Sequence, residues 1–424
     1  MGQNNKRLNG APGPTNVSAN SMNGGAGGHM NGHMHSMNTS GFSNQQVAQN
    51  QMSYQHTDHN NGFQFEQNSQ SNMIYSSDSH KVTLDDFELL KVIGQGNFAK
   101  VMQVRKKDTQ KVYAIKILNK KRLEESDQLE HIKTERAVLQ YVEHPFIVRL
   151  VYAFQTTEKL YMVMDFINGG ELFFHLKKLK RFPEDLVKLY AAELFLSLDH
   201  LHRHNVVFRD LKPENVLMDR DGHVMLTDFG LAKFLSNQDR THTFCGTPEY
   251  LAPEVLLQKG HGKPVDWWSY GTLIYEMLVG IPPFYCDNVQ EMYDRILNGE
   301  LILPDEFISL ECQDLLARLL ERDPRRRLGS GPTGSDEIRN HPWFSDINWE
   351  DVYYRRYKPR YKPNVKSDED TSYFDDEFTK QAPVDSVCQN GVLDDKLQRE
   401  FEGFTYTEAG YMMNNNGERI ISNY

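Results

Sequence analysis

The 424-residue sequence predicts an α+β fold, a β-rich first part followed by a mostly α-helical second part, set between a disordered leading segment and an irregular tail. Three observations predict it. Short β-branched or aromatic runs separated by Gly or charged turns occupy residues 87–118, and apolar residues at three- and four-residue spacing take over after Leu172. Those are the periods of a strand meander and of amphipathic helices. Residues 1–80, by contrast, are dominated by Asn, Gly, Ser, Gln, His and Met. With so little Val, Ile or Leu they cannot bury enough surface to offset chain entropy, and they read as a solvated spacer.

The folded region begins at Phe87. Strands are expected over 87–93, 101–105 and 112–118, and a helix over 128–141. Leu186, Leu189, Tyr190, Leu194, Leu198 and Leu201 mark one face of a long helix, and a short strand pair brackets the turn at 219–222. Dense apolar patterning stops at Phe344. Beyond it stand Pro359, Pro363, an acid-rich stretch over 367–377 and isolated aromatics, too few for a core of their own. This tail, 345–424, is expected to wrap something or stay loose.

A net charge of -11 disfavours nonspecific binding to nucleic acid or anionic lipid, which needs clustered Lys and Arg. A basic partner would need acidic pockets. The four cysteines, Cys245, Cys286, Cys312 and Cys388, form no CxxC pair, so neither a disulfide framework nor a zinc site is indicated. No run approaches the roughly 18 uninterrupted apolar residues of a membrane span, since even 273–284 contains Glu276 and two prolines. The leading residues lack the apolar stretch of a secretory signal, and Lys6 stands where a myristoylation signal wants Ser or Thr. The expectation is an intracellular protein of the cytoplasm, with the nucleus as a second compartment beside it.

The run GQGNFAKV, from Gly94 to Val101, falls between two expected strands rather than between a strand and a helix, which argues against a dinucleotide fold. Taken alone it reads as a plain β-turn at least as well as a glycine-rich hairpin lid whose backbone N–H groups approach nucleotide phosphates. In the next strand, alternation puts Ala114 and Lys116 on one face. An inward lysine is costly unless paired, so phosphates and a carboxylate are expected to meet it. Glu135, with His131 one turn earlier on the same helix face, is the natural carboxylate. Further on, FRDLKPEN (Phe208 to Asn215) and DFG (from Asp228) bring two acidic loops together. One carboxylate there can take a hydroxyl proton while Asn215 and Asp228 hold magnesium, which favours hard oxygen ligands and bridges nucleotide phosphates. Ala252, Pro253 and Glu254 complete the set.

These signatures, in this order over 87–344, resemble those of eukaryotic protein kinases. The resemblance implies a two-lobed fold, with a β-rich small lobe over 87–167 and a mostly helical large lobe over 168–344. It implies an ATP site made by Gly94, Gly96, Val101, Ala114, Lys116, Glu135, Asp165, Ile167 and, from the tail, Phe374. Asp210 would be the catalytic base, Lys212 would steady the γ-phosphate, Asn215 and Asp228 would bind Mg2+, and Lys116 would pair with Glu135. Two positions depart from the pattern. Ala99 replaces the lid's third glycine, which narrows backbone freedom, and Phe208 stands where the general pattern has His. Neither removes a charge that handles phosphate or metal, so a competent enzyme is expected rather than a pseudokinase scaffold. A kinase of small molecules, the other rival, would not need the segment around Glu254.

Downstream the likeness narrows. THTFCGTPEY, from Thr241 to Tyr250, resembles the activation segment of AGC-group serine/threonine kinases. The tail then carries Tyr361 and Pro363, Phe374 and Phe378, Ala382 to Ser386, and FEGFTY from Phe401 to Tyr406. These are similar to the AGC tether, nucleotide-pocket aromatic, turn motif and hydrophobic motif. The ending is similar to that of Akt, the serum- and glucocorticoid-regulated kinases and the ribosomal-protein kinases. Nothing before residue 81 could form a pleckstrin-homology domain, which weighs against Akt, and FTKQAPVDS leans toward the ribosomal-protein kinase type. The resemblance implies phosphosites at Thr243, Ser386 and Thr405. It implies a phosphate grip from Arg209, Lys233 and His131, with Thr241 as the alternative site and Thr247 hydrogen-bonding the catalytic loop. Phe401 and Phe404 would dock beside the Glu135 helix. Glu171, Glu214 and Glu276 would receive arginines of protein substrates. Upstream kinases of the phosphoinositide-dependent and TOR-complex kinds, a monomeric state, and a role in nutrient or growth signalling are implied as well.

Overall fold

The computed structural model describes residues 81–424 except 97, 236–239, 307, 387–394, 409–411, 414–418 and 421–424. Contacts divide the chain into Met1–Ser76 and Ser77–Tyr424, and every described residue belongs to the second unit. The expected spacer over 1–80 and Cys388 lie outside the described residues.

Five antiparallel strands and two helices come first: β1 (Phe87–Gln95), β2 (Ala99–Lys106), β3 (Val112–Asn119), α1 (Lys120–Glu125), α2 (Leu129–Tyr141), β4 (Leu150–Gln155) and β5 (Lys159–Asp165). Alternation sorts the side chains of β3. Tyr113, Ile115 and Ile117 join Val92, Met102, Val104 and Val163 in one core, while Leu118 belongs to a second core shared with the helices. Ala114 and Lys116 lie on the Leu118 face. The β1–β2 register shifts between Val92 and Gly94, an irregularity that re-aims the strand end beside the glycine run. On α2 the buried stripe is Ile132, Glu135, Val138 and Leu139, so a carboxylate occupies an otherwise apolar slot.

The helical part follows with α3 (Leu172–Leu179), α4 (Glu184–Arg203), β6 (Val206–Val207), β7 (Val216–Met218), β8 (Val224–Leu226), β9 (Lys233–Phe234), α5 (Pro253–Leu256), α6 (Pro264–Val279), α7 (Val289–Asn298) and α8 (Leu310–Leu319). Helix α6 is apolar nearly all round and correspondingly buried, with Trp267, Trp268, Tyr270, Leu273 and Ile274 inside. Pro264 at its first position and Gly280 at its end set its limits. Gly280 adopts φ +96°, and a Cβ there would lie 2.3 Å from Lys180 O, so only glycine fits. The hairpin β7–β8 and the pair β6–β9 carry the loops that bear the chemistry.

The tail wraps. Phe378 packs against the outer core of the small lobe, and Lys91 Nζ donates to Thr371 Oγ1 at 2.9 Å. A further strand, β10 (Tyr406–Thr407), adds to β4 and gives the sheet order β1-β2-β3-β5-β4-β10. It covers an edge that would otherwise present unpaired backbone groups. Phe401 and Phe404, 1% and 4% exposed, are buried in the core shared by both lobes. Among the described residues no helix is long and apolar enough to cross a membrane.

Candidate active site

Lys116 Nζ sits 2.7 and 2.9 Å from the two Glu135 carboxylate oxygens and 3.7 Å from Asp228 Oδ1. Strand alternation delivers the lysine, and the buried stripe of α2 delivers the glutamate. Burial opposes the Lys116 charge, but Glu135 and then Asp228 outweigh it and hold its pKa above the ordinary lysine value. Beside this pair the β1–β2 hairpin closes with Gly96 N donating to Ala99 O at 2.8 Å. Among the described residues a Cβ on Gly94 would meet nothing nearer than 3.7 Å, and one on Gly96 nothing nearer than 4.0 Å. The protein's own packing therefore does not demand these glycines, and the room they leave is room for a ligand. Ala99 is accommodated because it packs with Phe98 against the shared core.

Val101 faces Lys116 across β2 and β3, and Ala114 is nearly buried beside it. Phe166 stacks on Phe374 with ring centroids 5.6 Å apart, which seats the tail aromatic on the link between the lobes, next to Ile167. The Asp165 carboxylate turns to Arg149 and Lys111, so only its main chain is left to meet a nucleotide.

In the catalytic loop Asn215 Nδ2 donates to Asp210 O and to Asp210 Oδ2, each at 2.8 Å. Lys212 Nζ lies 3.1 Å from Asp210 Oδ2 and donates to Thr247 Oγ1 at 2.8 Å, and Thr247 donates to Asp210 Oδ1 at 3.2 Å. Phe208 is fully buried edge-on to Phe229, 5.1 Å between centroids, so the departure from His fills an apolar slot. The loop is held from below by a residue that sequence reasoning missed. Asp266 of α6, 0% exposed, accepts from Phe208 N at 2.9 Å and Arg209 N at 2.8 Å, and lies 2.7 Å from His202 Nε2. Its signal was an aspartate inside the apolar run of α6. Arg209 adopts φ +67°, a strained conformation for arginine that this acceptor pair helps to fix. Asp266→Ala is expected to cost about 3 kcal/mol by orphaning buried N–H groups, measured as a lowered midpoint in urea unfolding. A second missed residue is Arg327, whose Nη1 and Nη2 donate to the Glu254 oxygens at 2.7 and 2.8 Å in a buried pair.

The activation segment departs from expectation in detail. Arg209 Nη1 and Lys233 Nζ donate to Thr241 Oγ1, at 3.3 and 3.2 Å, rather than reaching Thr243. Thr241 is 2% exposed, while Thr243 is exposed with its Oγ1 3.3 Å from that of Thr241. His131 Nδ1 lies 2.9 Å from Gln128 Oε1, on its own helix. Ser386 and Thr405 are exposed. Arg136 of α2 donates to Phe404 O and Gly403 O, and Lys133 pairs with Glu400, which ties the docked tail to the helix that carries Glu135.

Glu171 makes no capping hydrogen bond to α3. Lost hydration, then Glu214, raise its pKa, and burial, then Glu214 and Glu249, push Glu276 up to about 8. Glu171 and Glu276 thus both lie within the field of Glu214, one acidic cluster. Tyr250 donates its hydroxyl to Glu276.

The chain matches the protein kinase domain over residues 87–344 and the protein kinase C terminal domain over 365–406. It is 54% identical over 331 residues to Protein kinase 2 of Dictyostelium discoideum, covering 78% of this chain and 68% of that one. It is 53% identical over 331 residues to the serine/threonine-protein kinase YPK1 of Saccharomyces cerevisiae, covering 78% and 48%. Against the ribosomal protein S6 kinase beta of Caenorhabditis elegans the identity is 46% over 349 residues, covering 81% and 63%.

Proposed function

The chain belongs to the protein kinase family, in its AGC group, and is a serine/threonine kinase; from that premise we propose that it transfers the γ-phosphoryl group of ATP to Ser or Thr in Arg-rich protein segments. One observation carries the chemistry. Lys116 joins Glu135 and Asp228, Asp210 joins Asn215 and Lys212, and the two clusters are tied by Thr227 N, next to Asp228, which donates to Asn215 O at 3.0 Å.

Asp210 Oδ2 is held by Asn215 and Lys212, so Oδ1 is the oxygen that can receive a proton. A substrate hydroxyl replacing that of Thr247 there would be aimed by the bond and would pass its proton to Asp210 as its oxygen attacks the γ-phosphorus, whose bond to the β,γ-bridging oxygen breaks so that ADP leaves with the electron pair. Lys116, charged and anchored, steadies nucleotide phosphates. Asn215 spends its N–H groups on Asp210, which leaves Oδ1 for a cation, and the exposed Asp228 carboxylate supplies the second hard oxygen. So sparse a donor set suits Mg2+, which keeps waters and phosphate oxygens of its own. A cation held by Asn215 and Asp228 would supply positive charge to offset that of the nucleotide phosphates. Radiolabel transfer to an Arg-rich peptide tests the reading, and equal incorporation by wild type and Asp210→Asn would overturn it.

The acidic cluster supports the choice of substrate. Carboxylates accept arginine bidentately, which gives both energy and register. Glu214→Ala is expected to weaken the preference for upstream arginine by about 1.5–3 kcal/mol in kcat/KM. The profile has a pH sign. With a value of about 8 against an ordinary 4.5, Glu276 is mostly protonated at pH 7, and ionising it to receive an arginine costs free energy that shrinks as pH rises toward 8. An arginine that pairs with it bears that cost, so KM for the Arg-rich peptide should fall as pH rises from 7 to about 8.5, and a flat profile would refute the pairing.

Control by phosphorylation of Thr243, Ser386 and Thr405 is part of the proposal, with upstream kinases of the phosphoinositide-dependent and TOR-complex kinds. So is action as a monomer in the cytoplasm, with the nucleus as a second compartment beside it, in nutrient or growth signalling. The likeness of THTFCGTPEY and FEGFTY to AGC motifs supports these.

A further inference from the structure

The docked tail also reaches the link between the lobes by a route that bypasses α2. Arg149, the residue before β4, lays its guanidinium across the end of β5. Nε donates to Asp165 Oδ2 at 3.0 Å, Nη2 to Asp165 Oδ1 at 3.2 Å, and Nη1 to Glu408 Oε1 at 3.1 Å. The backbone brings Glu408 there: β10 pairs Tyr406 with Ala153 and Thr407 with Tyr152, and Glu408 N donates to Val151 O at 3.0 Å. A three-member charge chain thus runs from the tail through Arg149 to the last residue of β5. Its members keep only 18–24% of their side-chain exposure, so solvent screens it less than an open ion pair. Lys111 also reaches Asp165 Oδ1, at 3.1 Å, but is half exposed and correspondingly weaker.

We propose that Arg149 is a positioning residue for the nucleotide, which with Glu408 docked holds Asp165 and the main chain of 165–167 in place for the base. Seating of the tail is then read at the base as well as at the phosphates. The inference rests on the reading of 165–167 as the base contact. Its physical ground is the arginine fork, which satisfies both Asp165 oxygens and still has a donor for Glu408. Without Arg149, the Asp165 and Glu408 carboxylates lose the cation they share across β4, only the half-exposed Lys111 is left to Asp165, and repulsion loosens both.

Steady-state kinetics of the full chain, with ATP varied at saturating peptide, test this. Arg149→Ala is expected to raise KM for ATP about fivefold and Glu408→Gln about threefold, with kcat within about twofold of wild type. The double variant should be no worse than Arg149→Ala, because both changes act through one guanidinium. Arg149→Lys, a point charge that cannot serve three oxygens, should fall between. A fall in kcat with KM unmoved, or additive effects in the double variant, overturns the proposal. Ala114→Phe, which fills the proposed base pocket, separates the two failures. If it keeps the wild-type KM, the base does not sit there and the underlying reading falls. If it loses ATP binding while Arg149→Ala keeps the wild-type KM, the reading stands and the charge chain is refuted.

Discussion

Asp228→Asn is expected to lower kcat about 10³-fold, since one decade in rate is about 1.4 kcal/mol and cation handling at a phosphoryl group supplies several. The thermal unfolding midpoint should move by no more than about 1 °C. The structure makes this substitution unusually clean. Asp228 adopts φ +58°, a left-handed conformation that asparagine tolerates as readily as aspartate. Its side chain is 55% exposed, and its carboxylate meets only Lys116 at 3.7 Å and Gly230 N at 3.4 Å among the described residues. Little of the fold depends on the charge. Lys116→Met is a poorer probe, because it strands Glu135, 1% exposed, as an unpaired buried carboxylate and so mixes lost chemistry with lost stability. Turnover of Asp228→Asn above a few per cent of wild type, at saturating Mg2+ and ATP, would remove Asp228 from cation handling.

What could be read from the sequence follows the range of the interactions. The inward pairing of Ala114 with Lys116 was legible because strand alternation operates over two residues, and the Glu135 partner because helix spacing operates over four. The Asp266 acceptor was not, since it serves a loop 57 residues earlier and only the burial of α6 beneath that loop makes it one. Arg149 and Glu408 are 259 residues apart, joined by a two-residue strand that no periodicity marks. Phe401 and Phe404 looked too few to form a core, and by themselves they are. They are buried because α1 and α2 already offer apolar surface, with Arg136 and Gln155 placed to donate to the tail's main-chain carbonyls.

Thr243→Ala is expected to lower specific activity about 10²-fold, because it removes the hydroxyl proposed to carry a phosphate that would balance the cations gathered at the activation segment. Arg209 Nε donates to Leu231 O at 2.7 Å, and both Arg209 Nη1 and Lys233 Nζ donate to the Thr241 hydroxyl. Two charges therefore meet neutral acceptors in these bonds. Their field is felt nearby: burial and then Arg209 push His261 down to about 4. Thr241 cannot easily serve as the switch, since it is buried and exchanges two 2.9 Å backbone hydrogen bonds with His261. Thr243 is exposed and its hydroxyl is 3.3 Å away, so an upstream enzyme can modify it without opening that bridge. A phosphate there adds a charge of about -1.5 to -2, and each charge-assisted bond it makes to Arg209 or Lys233 is worth about 1.5–3 kcal/mol. Because Asp266 fixes the Arg209 backbone, the same phosphate also steadies the loop that bears Asp210. Thr405→Ala should act more mildly, about three- to tenfold, since Phe401, Phe404 and β10 hold the tail without it. Arg209→Ala should leave an enzyme that carries phosphate on Thr243 and gains little from it. Mass spectrometry and activity measured on the same preparations decide the matter: maximal activity with Thr243 unmodified, or full activation of Arg209→Ala by Thr243 phosphate, would refute the switch.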